Sequence, residues 1–165
     1  MLESLFQELM SRDARWGIQF LKYVLCGGLA TVTDVLIFYG LAWRLIPALK
    51  ADDFIVRILR LKIHPVEEAR RGRNFVVNTA IAFIFSNFVA YITNVLWVFE
   101  PGRHAWYIEI SLFYAVSLIS ISFGAFLGWA MIHYLKLSTT SSYVGKLIGA
   151  LVVNFLCRKF IIFKG

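Results

Sequence analysis

Residues Lys146–Phe163 read KLIGALVVNFLCRKFIIF, an apolar run interrupted by a few polar side chains. Lys146, Asn154 and Arg158 follow one another at spacings of eight and four residues, which places them within roughly 120° of one face of an α-helix. Charged side chains at membrane depth are costly, so they usually face a bundle interior and mark the path of an ion or polar ligand. We therefore expect the other helices to pack around this polar face.

The composition is that of an integral membrane protein. Of 165 residues, 59% are hydrophobic and 16% aromatic, and the mean hydropathy is +0.71, which excludes an ordinary soluble domain. At ~20 residues per span, the chain has room for a few spanning helices and one domain. The net charge of +7 indicates contact with anionic lipid phosphates rather than with nucleic acid. Cys26 and Cys157 form neither a disulfide pattern nor a thiolate metal site.

The hydropathy pattern predicts an all-α fold with four transmembrane helices in a single domain, residues 1–165. These helices cover residues 20–43, 75–99, 108–134 and 143–163. An interfacial amphipathic helix is expected at residues 1–19. The long connection at residues 44–73 carries eight of the seventeen Lys and Arg residues.

This basic loop is predicted to contain short surface helices. An apolar edge of Phe54, Ile55, Ile58 and Leu59 begins after Asp52 or Asp53 as N-cap and stops at His64-Pro65. We expect a solvated loop that helps to set the topology. Binding of lipid headgroups is the alternative.

Polar residues within the first two spans suggest a shared path. Asp34 is either a hydrogen-bonded packing residue or a carboxylate that pairs with a cation or exchanges a proton. Asn87, Tyr91 and Asn94 share one face of the second span. Each asparagine could also simply join helices, an interaction typically worth about 1 kcal/mol or less.

The third span contains a small-residue stripe, which is expected to be a packing surface between helices. Its members are Ser117, Ser120, Gly124 and Gly128. Glu109 stands at the entrance of this span and is expected to be partly exposed. Four spans would place both termini on one side of the membrane. Lys146 would then lie toward the opposite side, with Asp34 between it and the midplane, so a pair between Lys146 and Asp34 is a further hypothesis.

A weak internal repeat relates the two halves of the chain. The end of the second span, Asn94–Phe99 (NVLWVF), aligns with Arg158–Phe163 (RKFIIF). This alignment predicts two helical hairpins related in parallel orientation. Two such halves could enclose a central polar path, as in transporters built from repeats.

Together these motifs resemble the GtrA-like family, small four-helix membrane proteins of cell-surface polysaccharide synthesis. The resemblance rests on FLKY at Phe20–Tyr23, on Gly27-Gly28, on Asp34 and on the ends of the second and last helices. It covers nearly all of the chain except the N-terminal extension and the basic loop, which is longer than the family usually carries. The chain also departs from the family at Asn94-Val95, where Asn-Arg is usual, and in the Phe-Ile-Ile of its final motif, where Phe-Trp-Val is usual.

The resemblance implies translocation of a polyprenyl-phosphate-linked monosaccharide across the cytoplasmic membrane for glycosylation of a cell-surface polysaccharide. The lipid phosphate requires cations, for which Lys22, Arg158 and Lys159 are candidates. Arg158 and Lys159 could instead anchor the helix end to headgroups. The sugar requires hydrogen-bonding groups along a path, and the candidates are Asp34, Asn87, Tyr91, Asn94, Lys146 and Asn154, with Thr31 beside them.

Two other functions fit the sequence. A non-transporting membrane partner would dock or stabilise a polyprenyl-phosphate glycosyltransferase. A small proton-coupled exporter of hydrophobic cations would use Asp34, although the surplus of inward cations would repel such substrates. No nucleophile-base pair, metal cluster or phosphate loop is visible in the sequence, so we expect no enzymatic activity, no catalytic residue and no cofactor.

The expected partners are the lipid-linked sugar, the glycosyltransferase that makes it and the surrounding lipids, without nucleic acid. A homo-oligomer is also expected, because four short helices are too few to enclose a sugar. We place the protein in the cell inner membrane as a multi-pass protein. The count of Lys and Arg slightly favours both termini outside, whereas the family resemblance implies both inside, and we follow the family.

Overall fold

The computed structural model describes residues 7–12, 14–64, 66–135 and 139–164, and within these ranges it contains helices and no strand. Three of the long helices end in a π-helical turn. In chain order the elements are α1 (Trp16–Gly40) with turn π1 (Leu41–Leu45), α2 (Phe54–Leu59), α3 (Glu68–Thr93) with turn π2 (Asn94–Val98), α4 (Trp106–His133), and α5 (Thr139–Cys157) with turn π3 (Arg158–Ile162).

Three helices are long and apolar enough to cross a membrane, and they span Trp16–Leu45, Ala69–Val98 and Trp106–Leu127. The all-helical, multi-pass character of the protein is therefore confirmed. The fourth span, which would consist of α5 and π3, stays a prediction, as does the parallel arrangement of two hairpins. The start of α5 is polar, and π3 carries the cations Arg158 and Lys159.

The helices differ from the predicted ranges mainly at their beginnings. The first helix starts at Trp16 rather than at residue 20, so residues 16–19 belong to it and not to a separate interfacial helix. Before it, residues 7–10 form one helical turn, whereas residues 1–6 lie outside the described part of the chain. The helix of the second span already starts at Glu68, so Gly72 lies inside it.

Many large apolar side chains are exposed, whereas a set of polar and charged side chains is buried together with the apolar core. The exposed residues of α1 include Leu29, Val32, Val35 and Leu36. The buried polar residues are Gln19, Lys22, Asn74, Asn78, Ser86, Asn87, Asn94, Glu109, Ser117, Ser120, Arg158 and Lys159. Lipid accepts exposed apolar groups, whereas polar groups at membrane depth require partners within the protein.

The chain divides into two compact units. One contains the residues up to Leu25 together with those from Tyr91 onward, and the other is Cys26–Ala90. In the first unit, α4 packs closely on α5: a Cβ added at Gly124 would lie 2.7 Å from the Lys146 carbonyl oxygen and 2.8 Å from the Ala150 Cβ. The predicted packing role of the small-residue stripe is thus confirmed at Gly124, while the surroundings of Gly128 lie outside what the structure describes.

In the second unit, the loop after α1 packs around Ala42, Ala48, Leu49 and Val56. Within the predicted apolar edge of α2, Ile58 and Leu59 are exposed, whereas Val56, which was not part of that edge, is buried. The side chain of Phe54 lies outside the described part.

The ends of α2 also differ from the prediction. Asp53 occupies the N-cap position without a side-chain cap bond, and its carboxylate instead accepts the Lys50 backbone N–H at 2.7 Å. The helix ends at Arg60, which has a left-handed backbone with φ of 49°, rather than at His64. Pro65 lies outside the described residues.

Two asparagines of α3 close the end of the first helix. Asn78 Nδ2 donates to the Ile46 carbonyl oxygen at 2.9 Å, and Asn74 Nδ2 donates to the Pro47 carbonyl oxygen at 2.8 Å. Carbonyls at a helix end have no partner within the helix. These side chains therefore supply the donors that water would supply in a soluble protein.

Candidate functional site

The three predicted phosphate-binding cations all lie in the first unit and are buried. Lys22, Arg158 and Lys159 are 0%, 4% and 7% exposed. Lys22 lies on α1, and the other two lie on π3, at the end of the last helix. Each cation has a different set of partners, and these partners indicate which one is best suited to a ligand.

Arg158 is held by aromatic rings and a hydroxyl. Its Nη2 donates to Ser117 Oγ at 3.0 Å, and its guanidinium carbon lies 3.6 Å from the centroid of the Phe113 ring and 5.4 Å from that of Tyr23. Cation–π contacts of this kind stabilise a charge that has lost its water. Ser117, assigned from the sequence only to a packing surface, is therefore a polar partner of the site.

Asn154 lies one turn before Arg158 on the same helix, as the four-residue spacing predicts. Its side chain hydrogen-bonds the Tyr23 hydroxyl. Within the described part of the chain, the buried Asn154 Oδ1 has no hydrogen-bond partner. An unsatisfied buried acceptor costs about 1–3 kcal/mol, so this oxygen is a candidate to accept a hydrogen bond from a ligand.

The Lys159 side chain is buried within the protein. Its Nζ donates to Gln19 Oε1 and lies 4.8 Å from the centroid of the Trp16 ring. Gln19 in turn donates through Nε2 to the Val98 carbonyl oxygen at 3.1 Å. Gln19 therefore connects the last helix to the end of the second span, a role that the sequence analysis missed. The sequence signal for this role was the position of Gln19 three residues before Lys22, on the same face of the helix.

Lys22 ties the N-terminal segment to α1. Its Nζ donates to the backbone carbonyl oxygens of Glu8 at 3.0 Å and Ser11 at 2.5 Å, and it lies 5.8 Å from the centroid of the Trp97 ring. Trp97 adds a bond from its indole N–H to the Leu9 carbonyl oxygen at 2.7 Å. Through these contacts Lys22 attaches the helical turn of residues 7–10 to α1.

Outside the spans, Glu8 and Arg15 form an ion pair in the same N-terminal segment. Arg15 Nε lies 2.7 Å from Glu8 Oε1, and the Arg15 backbone N–H donates to the same oxygen at 3.1 Å. The side-chain bond from Arg15, followed by the backbone bond, lowers the pKa of the Glu8 carboxyl. The same pairing raises the pKa of the Arg15 guanidinium.

The prediction that Glu109 is partly exposed is wrong, because the loop before α4 folds over it. The carboxylate is 2% exposed and accepts the backbone N–H of Gly102 at 2.6 Å and of His104 at 3.4 Å. The Tyr91 hydroxyl also hydrogen-bonds it. Gly102 has a φ of 99°, a backbone conformation that favours glycine. The Pro101-Gly102 turn was thus the sequence signal for a fold-back over this residue.

The two aligned helix ends have the same local structure. The Phe99 N–H donates to the Asn94 carbonyl oxygen at 2.8 Å, and the Phe163 N–H donates to the Arg158 carbonyl oxygen at 2.9 Å. Both phenylalanines are fully buried, and their rings stack with centroids 5.1 Å apart. The Tyr91 ring adjoins Phe163, with centroids 6.3 Å apart. The two aligned segments therefore share one kind of turn, which π1 also has, since the Ile46 N–H donates to the Leu41 carbonyl oxygen at 2.8 Å. The repeat of two hairpins stays a prediction.

The remaining predicted path residues are divided between the two units. In the second unit, Asp34 accepts a hydrogen bond from Ser86 Oγ at 3.0 Å, and Asn87 donates to the Phe83 carbonyl oxygen of its own helix at 3.2 Å. Lys146 is half-buried on α5 in the first unit. The pairing of Lys146 with Asp34 stays a hypothesis. Tyr91, Asn94, Asn154 and the three cations belong to the first unit.

Comparison with known proteins gives one match. The family described as GtrA/DPMS, transmembrane domain, matches residues 22–163. The matched range includes π2 and π3 and all of the buried cations. No curated protein and no solved structure matches the chain. Because the family match covers most of its length, the chain belongs to the GtrA/DPMS transmembrane-domain family.

Proposed function

We propose that the protein moves a polyprenyl-phosphate-linked monosaccharide across the cell inner membrane for glycosylation of a cell-surface polysaccharide. Family membership supports a membrane role in a glycosylation pathway. The observation that carries the finer proposal is the cluster of Arg158, Asn154 and Tyr23 at the end of the last helix.

Arg158 is the proposed phosphate contact. A guanidinium keeps its charge when it is buried and offers paired N–H donors that match phosphate oxygens. Its contacts include a neutral hydroxyl and an aromatic face, and its own guanidinium carries a positive charge. An anionic headgroup would thus be attracted to it more strongly than a neutral one.

Asn154 and Tyr23 are the proposed sugar contacts. The Asn154 carbonyl oxygen is available as an acceptor within the described part of the chain, and a sugar hydroxyl is a matching donor. The polyprenyl chain can remain among the lipids, beside the apolar outer surfaces of the helices. The protein would then have to shelter only the phosphate and the sugar.

Transbilayer movement of a short-chain polyprenyl-phosphate sugar in liposomes tests this proposal. We expect wild-type protein to accelerate the movement and Arg158→Gln to slow it about 10- to 100-fold, because a charged hydrogen bond contributes about 1.5–3 kcal/mol. Arg158→Lys should fall between the two, because it keeps the charge and loses the paired donors.

Lys164→Gln is the matched control for loss of one cation. Lys164 is exposed at the end of the chain, so its replacement should leave the rate unchanged. A folded protein that moves no lipid above empty liposomes, or an Arg158→Gln variant with the wild-type rate, would contradict the proposal.

The docking of a polyprenyl-phosphate glycosyltransferase is the second candidate function. It is favoured by the engagement of Lys22 and Lys159 within the protein, because cations with internal partners suit a structural role. In that case Arg158→Gln would leave polysaccharide glycosylation intact, while disruption of the close α4–α5 packing would abolish it. The level of polysaccharide glycosylation in cells that carry Arg158→Gln would therefore distinguish the two functions.

We retain three further parts of the proposal. The protein acts without catalysis of its own, both termini face the cytoplasm, and several copies assemble to shelter the sugar. The molecular mass of the purified protein in detergent would test the assembly. A monomer that is active in liposomes would contradict it.

A further inference from the structure

An open groove of about 650 Å³ lies in the second unit, along the basic loop that follows α1. Its polar lining consists of Arg44, Arg60, Lys62 and His64, and Trp43 forms an aromatic wall. Among the described residues that line it, none is acidic. Three permanent cations thus face one cavity without a carboxylate to balance them. The transport site proposed above does not use this groove.

The aromatic wall is fixed by two contacts. The Trp43 indole N–H donates to the Lys62 backbone carbonyl oxygen at 3.1 Å. The Arg44 guanidinium carbon lies 4.5 Å from the centroid of the Trp43 ring. Trp43 therefore connects the end of the first span to the basic loop and holds two of the cationic residues around the same space.

Arg60 occupies an unusual backbone position. It follows α2 with φ of 49° and ψ of 44°, the left-handed conformation that a helix end commonly fills with glycine. A side chain at this position is disfavoured relative to glycine. The structure therefore does not need an arginine here, and glycine would suit the backbone better.

The groove adjoins the end of the first candidate span, which extends to Leu45, so we expect it to lie near the lipid headgroups. Beside the cations, Leu45 and Leu59 are 76% and 58% exposed. Leucines next to a cationic groove present an apolar surface for acyl chains and a charged surface for a headgroup. Free phosphate would use the charged surface alone.

We propose that this groove binds the phosphate group of an anionic membrane lipid. The three cations attract the phosphate, the aromatic wall sits at the interface, and the exposed leucines contact the acyl chains. The groove shares no residue with the proposed transport cluster, so either proposal can fail without the other.

Native mass spectrometry of the full chain in neutral detergent tests this inference. We expect retention of phosphatidylglycerol in preference to phosphatidylcholine. Arg60→Gly removes a cation while relieving the backbone, so it should fold at least as well as wild type and bind phosphatidylglycerol about fivefold more weakly, as expected for one interfacial cation. Lys62→Gln should weaken binding to a similar degree.

Arg57→Gln is the control of equal charge change, because Arg57 is exposed on α2 and does not line the groove. Its binding should equal that of wild type. Equal affinity of the Arg60→Gly and wild-type proteins would overturn the inference, as would equal weakening by Arg57→Gln, which would indicate diffuse attraction to the whole loop.

A third ligand separates the possible sources of phosphate. Undecaprenyl phosphate should bind with the same dependence on Arg60, because it is also an anionic lipid. Inorganic phosphate that displaces the lipid at equal concentration would show that the acyl chains contribute nothing, and it would overturn the assignment to a lipid.

Discussion

A permanent cation at membrane depth is stable only if the protein replaces its water. Arg158 receives two aromatic faces and the Ser117 hydroxyl in place of that water. A desolvated cation–π contact contributes about 2 kcal/mol, and a hydrogen bond to a charged group about 1.5–3 kcal/mol. The hydroxyl is thus as important to Arg158 as either ring.

Replacement of Ser117 by alanine should therefore destabilise the protein. We expect Ser117→Ala to lower the free energy of unfolding in detergent by about 1–3 kcal/mol, because the buried guanidinium loses an acceptor. Ser111→Ala is the control, since Ser111 is exposed on the same helix and its hydroxyl bonds the Tyr107 carbonyl one turn before. Equal losses in the two variants would show that the bond to Arg158 is unimportant.

The Glu8–Arg15 pair gives a pH-dependent contribution outside the membrane. The pKa of Glu8 is lowered from its ordinary value of 4.5, so the pair stabilises the segment above that pH and loses its effect as the pH falls through the lowered pKa. Carbon-13 NMR of labelled glutamate should show Glu8 titrating below 4.5 in wild type. In Arg15→Gln the titration should return toward 4.5, and an unchanged curve would contradict the pairing.

Side chains from other segments form hydrogen bonds with the ends of the long helices. At each π-helical turn, a side chain from another segment hydrogen-bonds a backbone carbonyl oxygen. Asn78 bonds that of Ile46 after π1, and Gln19 bonds that of Val98 in π2. At π3, Arg103 and His104 bond those of Phe160 and Ile161. Helix ends leave carbonyl oxygens without partners, and a membrane interior supplies no water to satisfy them. Buried polar side chains are therefore needed at these turns for the fold itself.

Gln19 tests this requirement because it serves two partners. Gln19→Leu removes the donor to Val98 and the acceptor for Lys159, and we expect a loss of about 2–3 kcal/mol in the free energy of unfolding. The double variant Gln19→Leu with Lys159→Met should be more stable than Gln19→Leu alone, because no ammonium is left buried without an acceptor. A double variant that is simply additive would refute the coupling.

The packing of α4 on α5 makes a second prediction about an element. Gly124→Ala should destabilise the protein by about 1–3 kcal/mol, because the new methyl group would lie 2.7 Å from a backbone oxygen that cannot move aside cheaply. At Gly28, a Cβ would meet nothing within 4 Å, so Gly28→Ala should be neutral or stabilising by about 0.5–1 kcal/mol. Thermal unfolding in detergent measures both, and a harmless Gly124→Ala would disprove the close approach.

The sequence predicted four spans, of which three are confirmed, and it placed Arg158 on the polar face of the last helix, because hydropathy and helical periodicity depend on neighbours along the chain. It could not predict the π-helical turns, the burial of Glu109 or the partner role of Gln19. Those features depend on contacts between distant segments, such as Glu109 with Gly102 and Gln19 with Val98. The alignment of Asn94–Phe99 with Arg158–Phe163 was the one local pattern that pointed to a shared turn.

The course of the whole chain through the membrane depends on whether α5 crosses it. Within the first unit, the N-terminal segment and the C-terminus both contact the end of the second span. Arg12 donates to the Leu96 carbonyl oxygen at 3.4 Å, and the Lys164 N–H donates to the Glu100 carbonyl oxygen at 3.0 Å. An even number of crossings brings both termini to one side, so these contacts favour a fourth span.

Labelling with a membrane-impermeant maleimide decides this topology. In a background with Cys26→Ala and Cys157→Ala, single cysteines replace Gln7, Ala51 or Lys164, each of which is exposed. We expect Gln7→Cys and Lys164→Cys to react from the same side, and Ala51→Cys, in the basic loop, to react from the other. Permeabilised cells, in which all three should react, provide the control. Reaction of positions 7 and 164 from opposite sides would mean three spans, and it would rule out the two-hairpin repeat, because α5 would then have to lie along the membrane rather than across it.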